Sequence, residues 1–170
     1  MMNMAPVDAK LDLVLERELA VPVSLVWRGL TDPVLLKQWF CPKPWGLSDC
    51  RIDLRPGGEF YTVMLDPEGK EYPGTACILE VEKEKKLVWT SQLHENYRPA
   101  PPVSKDDKPC AEMPMTAIIT LAAEGQKTRY TAHVMHNTEA FRKAHEEMGF
   151  YEGWGTTITQ LEELLKTGKV

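Results

Sequence analysis

With 170 residues, a formal charge of −5 and a pI near 5.4, the chain has the size of one domain and no basic excess. That balance excludes a nucleic-acid or anionic-membrane surface, both of which are recognised through clustered Lys and Arg. A chain of this length buries about 70% of its unfolded surface and needs no covalent staple.

The opening residues, MMNMAPVDAK, hold no apolar stretch of signal-peptide length, and no later run approaches the ~20 apolar residues of a membrane span. The expected location is therefore the cytoplasm. Cys41, Cys50, Cys77 and Cys110 are widely spaced without a CxxC pair. In a reducing compartment they read as free thiols, with Cys77 a small core residue. No metal site and no cofactor are expected.

Residues 1–10 read as a tail, and 11–167 as one folded domain. Leu11, Leu13, Leu15 and Leu19 alternate with Asp12, Glu16 and Glu18, the pattern of a strand with one wet face. Arg17 falls on the apolar phase, so it either snorkels outward or meets a buried acid. Pro22 opens a short helix carrying Val23, Val26, Trp27 and Leu30. Asp32-Pro33, an N-cap followed by proline at the first helical position, opens a second that ends near Trp39-Phe40.

A proline-rich connection, Cys41 to Leu47, leads into strands. Arg55-Pro56-Gly57-Gly58 and Asp66-Pro67-Glu68-Gly69 are hairpin turns, with strands at about Thr75–Glu82 and Leu87–Leu93. The segment 94–114 holds five prolines and is too long for a tight hairpin. It reads either as disorder or as a lid, with Tyr97 and Met113 over a cavity mouth. The last strands are about Met115–Ala122 and Thr128–His136. From Asn137 to Lys166 the spacing predicts one long helix. Its apolar stripe runs through Phe141, Ala144, Met148, Tyr151, Trp154, Ile158, Leu161 and Leu165. Asn137 is the expected N-cap, and Gly168 falls at the expected stop. This element order, strand, two short helices, a strand meander and a long helix, is α+β.

The blocks Pro22-x4-Trp27-x3-Leu30-Thr31-Asp32-Pro33-x5-Trp39-Phe40, Asp53-Leu54-Arg55-Pro56-Gly57-Gly58-Glu59-Phe60, Leu87-Val88-Trp89-Thr90 and Gly149-Phe150-x2-Gly153-Trp154-x6-Leu161 together resemble the activator-of-heat-shock-ATPase-like family. That family belongs to the START-like, birch-allergen-like superfamily, and the resemblance spans about residues 11–166. It implies a helix-grip fold, in which a curved antiparallel sheet with two short N-terminal helices wraps a long C-terminal helix and encloses an internal cavity. It also implies a homodimer as the assembly to look for. Founding members carry an additional N-terminal chaperone-binding domain. Only about ten residues precede the first strand here, so that domain is not expected. The superfamily includes cyclases, lyases, lipid carriers and hormone receptors, so the fold alone does not choose an activity.

Motifs for chemistry are sparse. His133 and His136 stand three apart on a strand and face opposite ways, and His145 is followed by Glu146-Glu147-Met148, so there is no HExxH. No nucleophile elbow, P-loop or dinucleotide fingerprint is present. Gly149, Gly153 and Gly155 each cost roughly 1 kcal/mol relative to alanine inside a helix. Tight packing on the sheet, a kink, or room for a ligand would each offset that.

Aromatic residues are the main ligand signal. Trp39, Trp45, Phe60, Met64, Trp89, Tyr97, Phe150 and Trp154, together with His133, form the candidate ligand-binding set. Strand phase groups Phe60 with Thr62 and Met64, Trp89 with Leu87 and Leu93, Cys77 with Leu79 and Val81, and Ala117 with Ile119 and Leu121, as inward faces. On the last strand, Tyr130, Ala132 and Val134 oppose Arg129, Thr131, His133 and Met135. If the second group faces inward, His133 is the cavity acid/base and Arg17 the anchor for an anionic group.

The expected function is binding of a hydrophobic or amphipathic small molecule, aromatic ones included, in an internal cavity, with no nucleic-acid or membrane partner. Two rivals stand beside it. One is a cyclase-, lyase- or hydrolase-type enzyme using His133, Arg17 or Glu59. The other is a chaperone-related interaction module. An interior below ~300 Å3 would speak against a drug-sized ligand.

Overall fold

The computed structural model describes residues 5–102 and 113–168. In chain order the described elements begin with β1 (Asp12–Leu19), α1 (Val23–Thr31), α2 (Pro33–Trp39), β2 (Gly46–Ile52) and β3 (Glu59–Leu65). They continue through β4 (Glu71–Glu82), β5 (Lys86–Thr90), β6 (Leu93–His94), β7 (Arg98–Pro99), β8 (Met115–Glu124) and β9 (Lys127–His136) to α3 (Glu139–Glu147) and α4 (Phe150–Lys166). Seven strands form one antiparallel sheet in the order β1-β9-β8-β5-β4-β3-β2, while β6 and β7 pair with each other. This is the α+β helix-grip architecture expected from the sequence.

β1 and β2 are the two edges of the sheet, and α1 and α2 carry the chain from one to the other. The Asp32 side chain accepts from the Val34 amide at 2.9 Å, so the cap read at Asp32-Pro33 starts α2 as expected. α1 lies so close to α4 that a Cβ on Gly29 would stand 2.5 Å from Leu161 Cδ1. Gln160 of α4 donates to the Trp39 and Cys41 carbonyls at 3.1 and 2.8 Å and accepts from the Lys43 amide. These bonds fix the end of α2 and the connection that follows it against the long helix.

The turn between β2 and β3 is held as rigidly. Gly57 has φ +82, and a Cβ on Gly58 would meet the Asp53 carbonyl oxygen at 1.9 Å. The paired glycines are therefore required by the backbone itself. Gly57 donates to the Ile78 carbonyl and Ile78 donates to that of Gly58, which docks the turn on β4.

Several expectations are corrected. The C-terminal segment is two helices, broken at Gly149, which sits at φ +91. Thr138, rather than Asn137, caps α3, its hydroxyl accepting from the Phe141 amide at 3.1 Å. Glycine in the left-handed region ends a helix by capturing its last carbonyls, and the Gly149 amide donates to the Glu146 carbonyl. The break re-phases the stripe: Phe150, Ile158, Leu161 and Leu165 are buried, whereas Met148 and Tyr151 are exposed.

On β4 the interior belongs to Tyr72, Gly74, Ala76 and Ile78, not to Cys77 and Leu79. A bulge between Ile78 and Glu80 shifts the register by one, so counting back from the correctly placed Val81 gives the wrong face. Leu93 belongs to the small β6–β7 ribbon and not to β5. Of the proline-rich segment 94–114, residues 103–112, with Cys110, lie outside the described residues. The part that is described turns back through a 3-10 turn, Glu95–Tyr97, into β7.

Candidate functional site: an aromatic cavity under the long helix

The inner face of the sheet, α2 and α4 do not meet completely. Between them lies a cavity of about 450 Å3, above the ~300 Å3 lower bound for drug-sized ligands. Trp39, Trp45, Phe60, Met64, Trp89 and Trp154, all named from sequence, line it. Phe40, Tyr72, Tyr130 and His145 add to the lining, and Met113, Met115 and Met148 give it adaptable apolar surface.

Two aromatic groups fix its walls. Edge-to-face contacts run from Trp39 to Phe40 at 5.9 Å, on to Phe60 at 5.8 Å and to Trp89 at 5.6 Å. At the other side, His145 packs edge-on against Phe150 at 5.1 Å and Trp154 at 6.4 Å. Such pairs hold rings in fixed orientations and add about 0.5–1.5 kcal/mol each beyond area burial. The Trp39 indole N–H donates to the Gly29 carbonyl at 2.8 Å, so its polar atom is already satisfied.

Three of the candidate residues are not part of the lining. Phe150 is 1% exposed and backs the wall behind His145 and Trp154. Tyr97 is 51% exposed and lies against Gly57 at the β2–β3 turn, away from the cavity. His133 faces the other side of the sheet. The inward phase of β9 is Tyr130, Ala132, Val134, and His136 follows it. His133 is instead buried against Asp12, with Nε2 at 2.8 Å from Oδ2.

Arg17 resolves as a snorkel. It is exposed, donates to the Glu16 carbonyl, and passes Gly155 with its guanidinium 3.3 Å from where a Cβ would stand. Glu59 pairs with Arg51 and does not line the cavity. Among the described residues no group of His, Cys, Asp and Glu has a metal-site arrangement.

The histidine that does reach the cavity is His145. Its Nδ1 lies 2.9 Å from His136 Nε2, and His136 Nδ1 lies 2.8 Å from the Leu11 carbonyl oxygen. Burial pushes the His145 value down to about 4, helped by the neighbouring His136, and burial also lowers His136. Both rings are neutral near pH 7. Periodicity had no means of finding this residue, because the break at Gly149 swings α3 and its last turn toward β9. Cys41 also lines the cavity, and burial raises its thiol to about 12, so it is an inert wall group.

Among the described residues the lining contains no Asp, Glu, Lys or Arg. A second depression, about 760 Å3, runs past Glu80 and Glu82–Lys86 on the outside. Its walls are mostly charged side chains that water solvates well.

A family model described as activator of Hsp90 ATPase homolog 1-like protein matches residues 20–166. A protein of solved structure from Nitrosomonas europaea is 66% identical over 96% of this chain and 99% of its own, with a TM-score of 0.88. One from Mycobacterium smegmatis is 25% identical over 94% of this chain and 93% of its own, with a TM-score of 0.71. One from Rhodobacter sphaeroides, 19% identical over 94% of both chains with a TM-score of 0.76, shares the fold. No curated protein matches. Four separate sequence blocks, the helix-grip topology and a match over most of the length agree: this chain belongs to the activator of Hsp90 ATPase homolog 1-like family.

Proposed function

We propose that the protein binds a hydrophobic or amphipathic small molecule in the cavity between its sheet and α4. One observation carries this reading: about 450 Å3 of space is lined mostly by aromatic, aliphatic and Met side chains, with no charged residue among the described lining. Empty apolar space forfeits dispersion contacts and destabilises a fold, so a cavity of this size is a cost that a ligand offsets. Gly153 supports the same reading. A Cβ there would meet nothing within 4 Å, so its helix cost leaves room and serves no close packing.

The test is a thermal-shift panel of fatty acids, fatty alcohols, sterols, flavonoids and aromatic polyketides, with tryptophan fluorescence as a second readout. A ligand at a hundredfold its Kd adds about 2.7 kcal/mol to folding stability. The expected result is a shift with one chemical class that is lost in Gly153→Leu, which fills the cavity from the helix side. No shift with any class would overturn the reading and favour a protein-interaction role.

A further inference from the structure

At that cavity, two polar side-chain atoms have no hydrogen-bond partner among the described residues. Tyr130, 2% exposed, lines the space, and its hydroxyl makes no hydrogen bond among the described residues. His145, 8% exposed, uses only Nδ1, leaving Nε2 without a partner among the described residues. Neither atom is wholly enclosed, so each keeps its hydrogen-bonding capacity open to whatever fills the cavity.

The protonation pattern at His145 follows from hydrogen-bond direction. The Leu11 carbonyl can only accept, so the proton of His136 is on Nδ1. A neutral His136 then presents a lone pair at Nε2. His145 Nδ1, 2.9 Å away, must donate to it. With its one proton on Nδ1, neutral His145 carries a bare lone pair at Nε2. The Leu11 carbonyl just before β1 thus dictates, through two rings, that His145 is an acceptor toward the cavity.

We infer that the cavity selects uncharged ligands carrying a hydroxyl or N–H group, with His145 Nε2 accepting that hydrogen and the ring system lying against the aromatic walls. The inference rests on the cavity being a ligand site. Among the described residues the lining has no Lys or Arg, which argues against carboxylates and phosphates, whose charge would be desolvated without a partner. Protonating His145 to meet such an anion would charge a ring whose value burial has already pushed to about 4. The Tyr130 hydroxyl both donates and accepts, so it adds a second contact without restricting the class.

The test compares 2-naphthol, 2-methoxynaphthalene and 2-naphthoate by calorimetry at pH 7.5. The naphthol should bind about five- to tenfold more tightly than its methyl ether, the range of one net hydrogen bond. Naphthoate should bind more weakly than either. In His145→Phe, which keeps the ring packing, the naphthol advantage should fall to within twofold while the ether still binds. Nitrogen NMR of the unmodified protein with labelled histidine is independent of that variant and should find the His145 proton on Nδ1. Equal binding of naphthol and ether, preference for naphthoate, an advantage that survives in folded His145→Phe, or a proton on Nε2 would each overturn the anchor while leaving the cavity reading intact. Binding of none of the three probes would overturn both.

Discussion

Asp12 and His133 form a buried pair on the side of the sheet away from the cavity, with Oδ2 and Nε2 2.8 Å apart and both residues at most 6% exposed. The same carboxylate oxygen accepts from the Asp8 amide at 2.9 Å. One bond therefore ties edge strand β1 to β9, and the other secures the segment before it.

Removing one partner leaves the other buried and unmatched. Asp12→Ala should lower stability by about 3–5 kcal/mol in urea unfolding, and His133→Ala by a comparable amount. The double variant should lose much less than the sum, because no orphan remains. Ligand binding at a saturating temperature-corrected concentration should be unchanged in His133→Ala, in contrast to His145→Phe. A purely additive cycle would contradict the pairing.

The two neutral rings beside the cavity make stability sensitive to acid. Burial holds the folded values of His136 and His145 below the ordinary 6.5, that of His145 at about 4. The unfolded chain therefore takes up protons first as pH falls. Stability should be full above about pH 6.5 and decline toward pH 4, by up to about 1.4 kcal/mol per pH unit for each ring that stays neutral. Asp12 on β1 opposes this decline at His136, while Arg142 on α3 and the mutual contact of the rings reinforce it. Urea midpoints measured across that range check the sign, and His145→Phe should flatten the profile.

Gly153 offers a substitution with two separable effects. Gly153→Ala should raise stability by about 0.5–1 kcal/mol, since the helix gains propensity and the methyl enters open space. Gly153→Leu should keep the fold and abolish ligand-induced thermal shifts. A destabilised alanine variant would mean that the space is not there.

Gly58→Ala is the opposite case. Its methyl would stand 1.9 Å from a carbonyl oxygen, so the β2–β3 turn must open and release β4. A loss of about 2 kcal/mol or more is expected by denaturant unfolding.

Cys41 is 6% exposed with its thiol raised to about 12. Aromatic disulfide reagents should leave it unmodified in the native protein and label it on unfolding. Rapid native labelling would contradict the raised thiol.

The strand, two-helix, meander and helix order, the Asp32-Pro33 cap, the glycine turn and six of the cavity-lining side chains were legible in the residues. Each is a local signal: a cap needs two neighbours, a turn needs its glycines, and a strand face needs alternation. His133 was misplaced because alternation on β9 gives two faces without saying which is inside. Cys77 and Leu79 were misplaced because a one-residue bulge is invisible to periodicity. Tyr97 was misplaced because a loop residue has no phase at all.

The sequence by itself determined the element order and an aromatic interior, because burial of apolar surface writes a periodic pattern into strands and helices, and its motif blocks pointed to the family. Only the tertiary structure decided which histidine meets the cavity. Gly149 breaks one predicted helix into two and turns His145 onto His136, while the Leu11 carbonyl sets the protons of both. Those contacts join residues from the two ends of the chain. Their distance and direction come from packing, which no local pattern encodes.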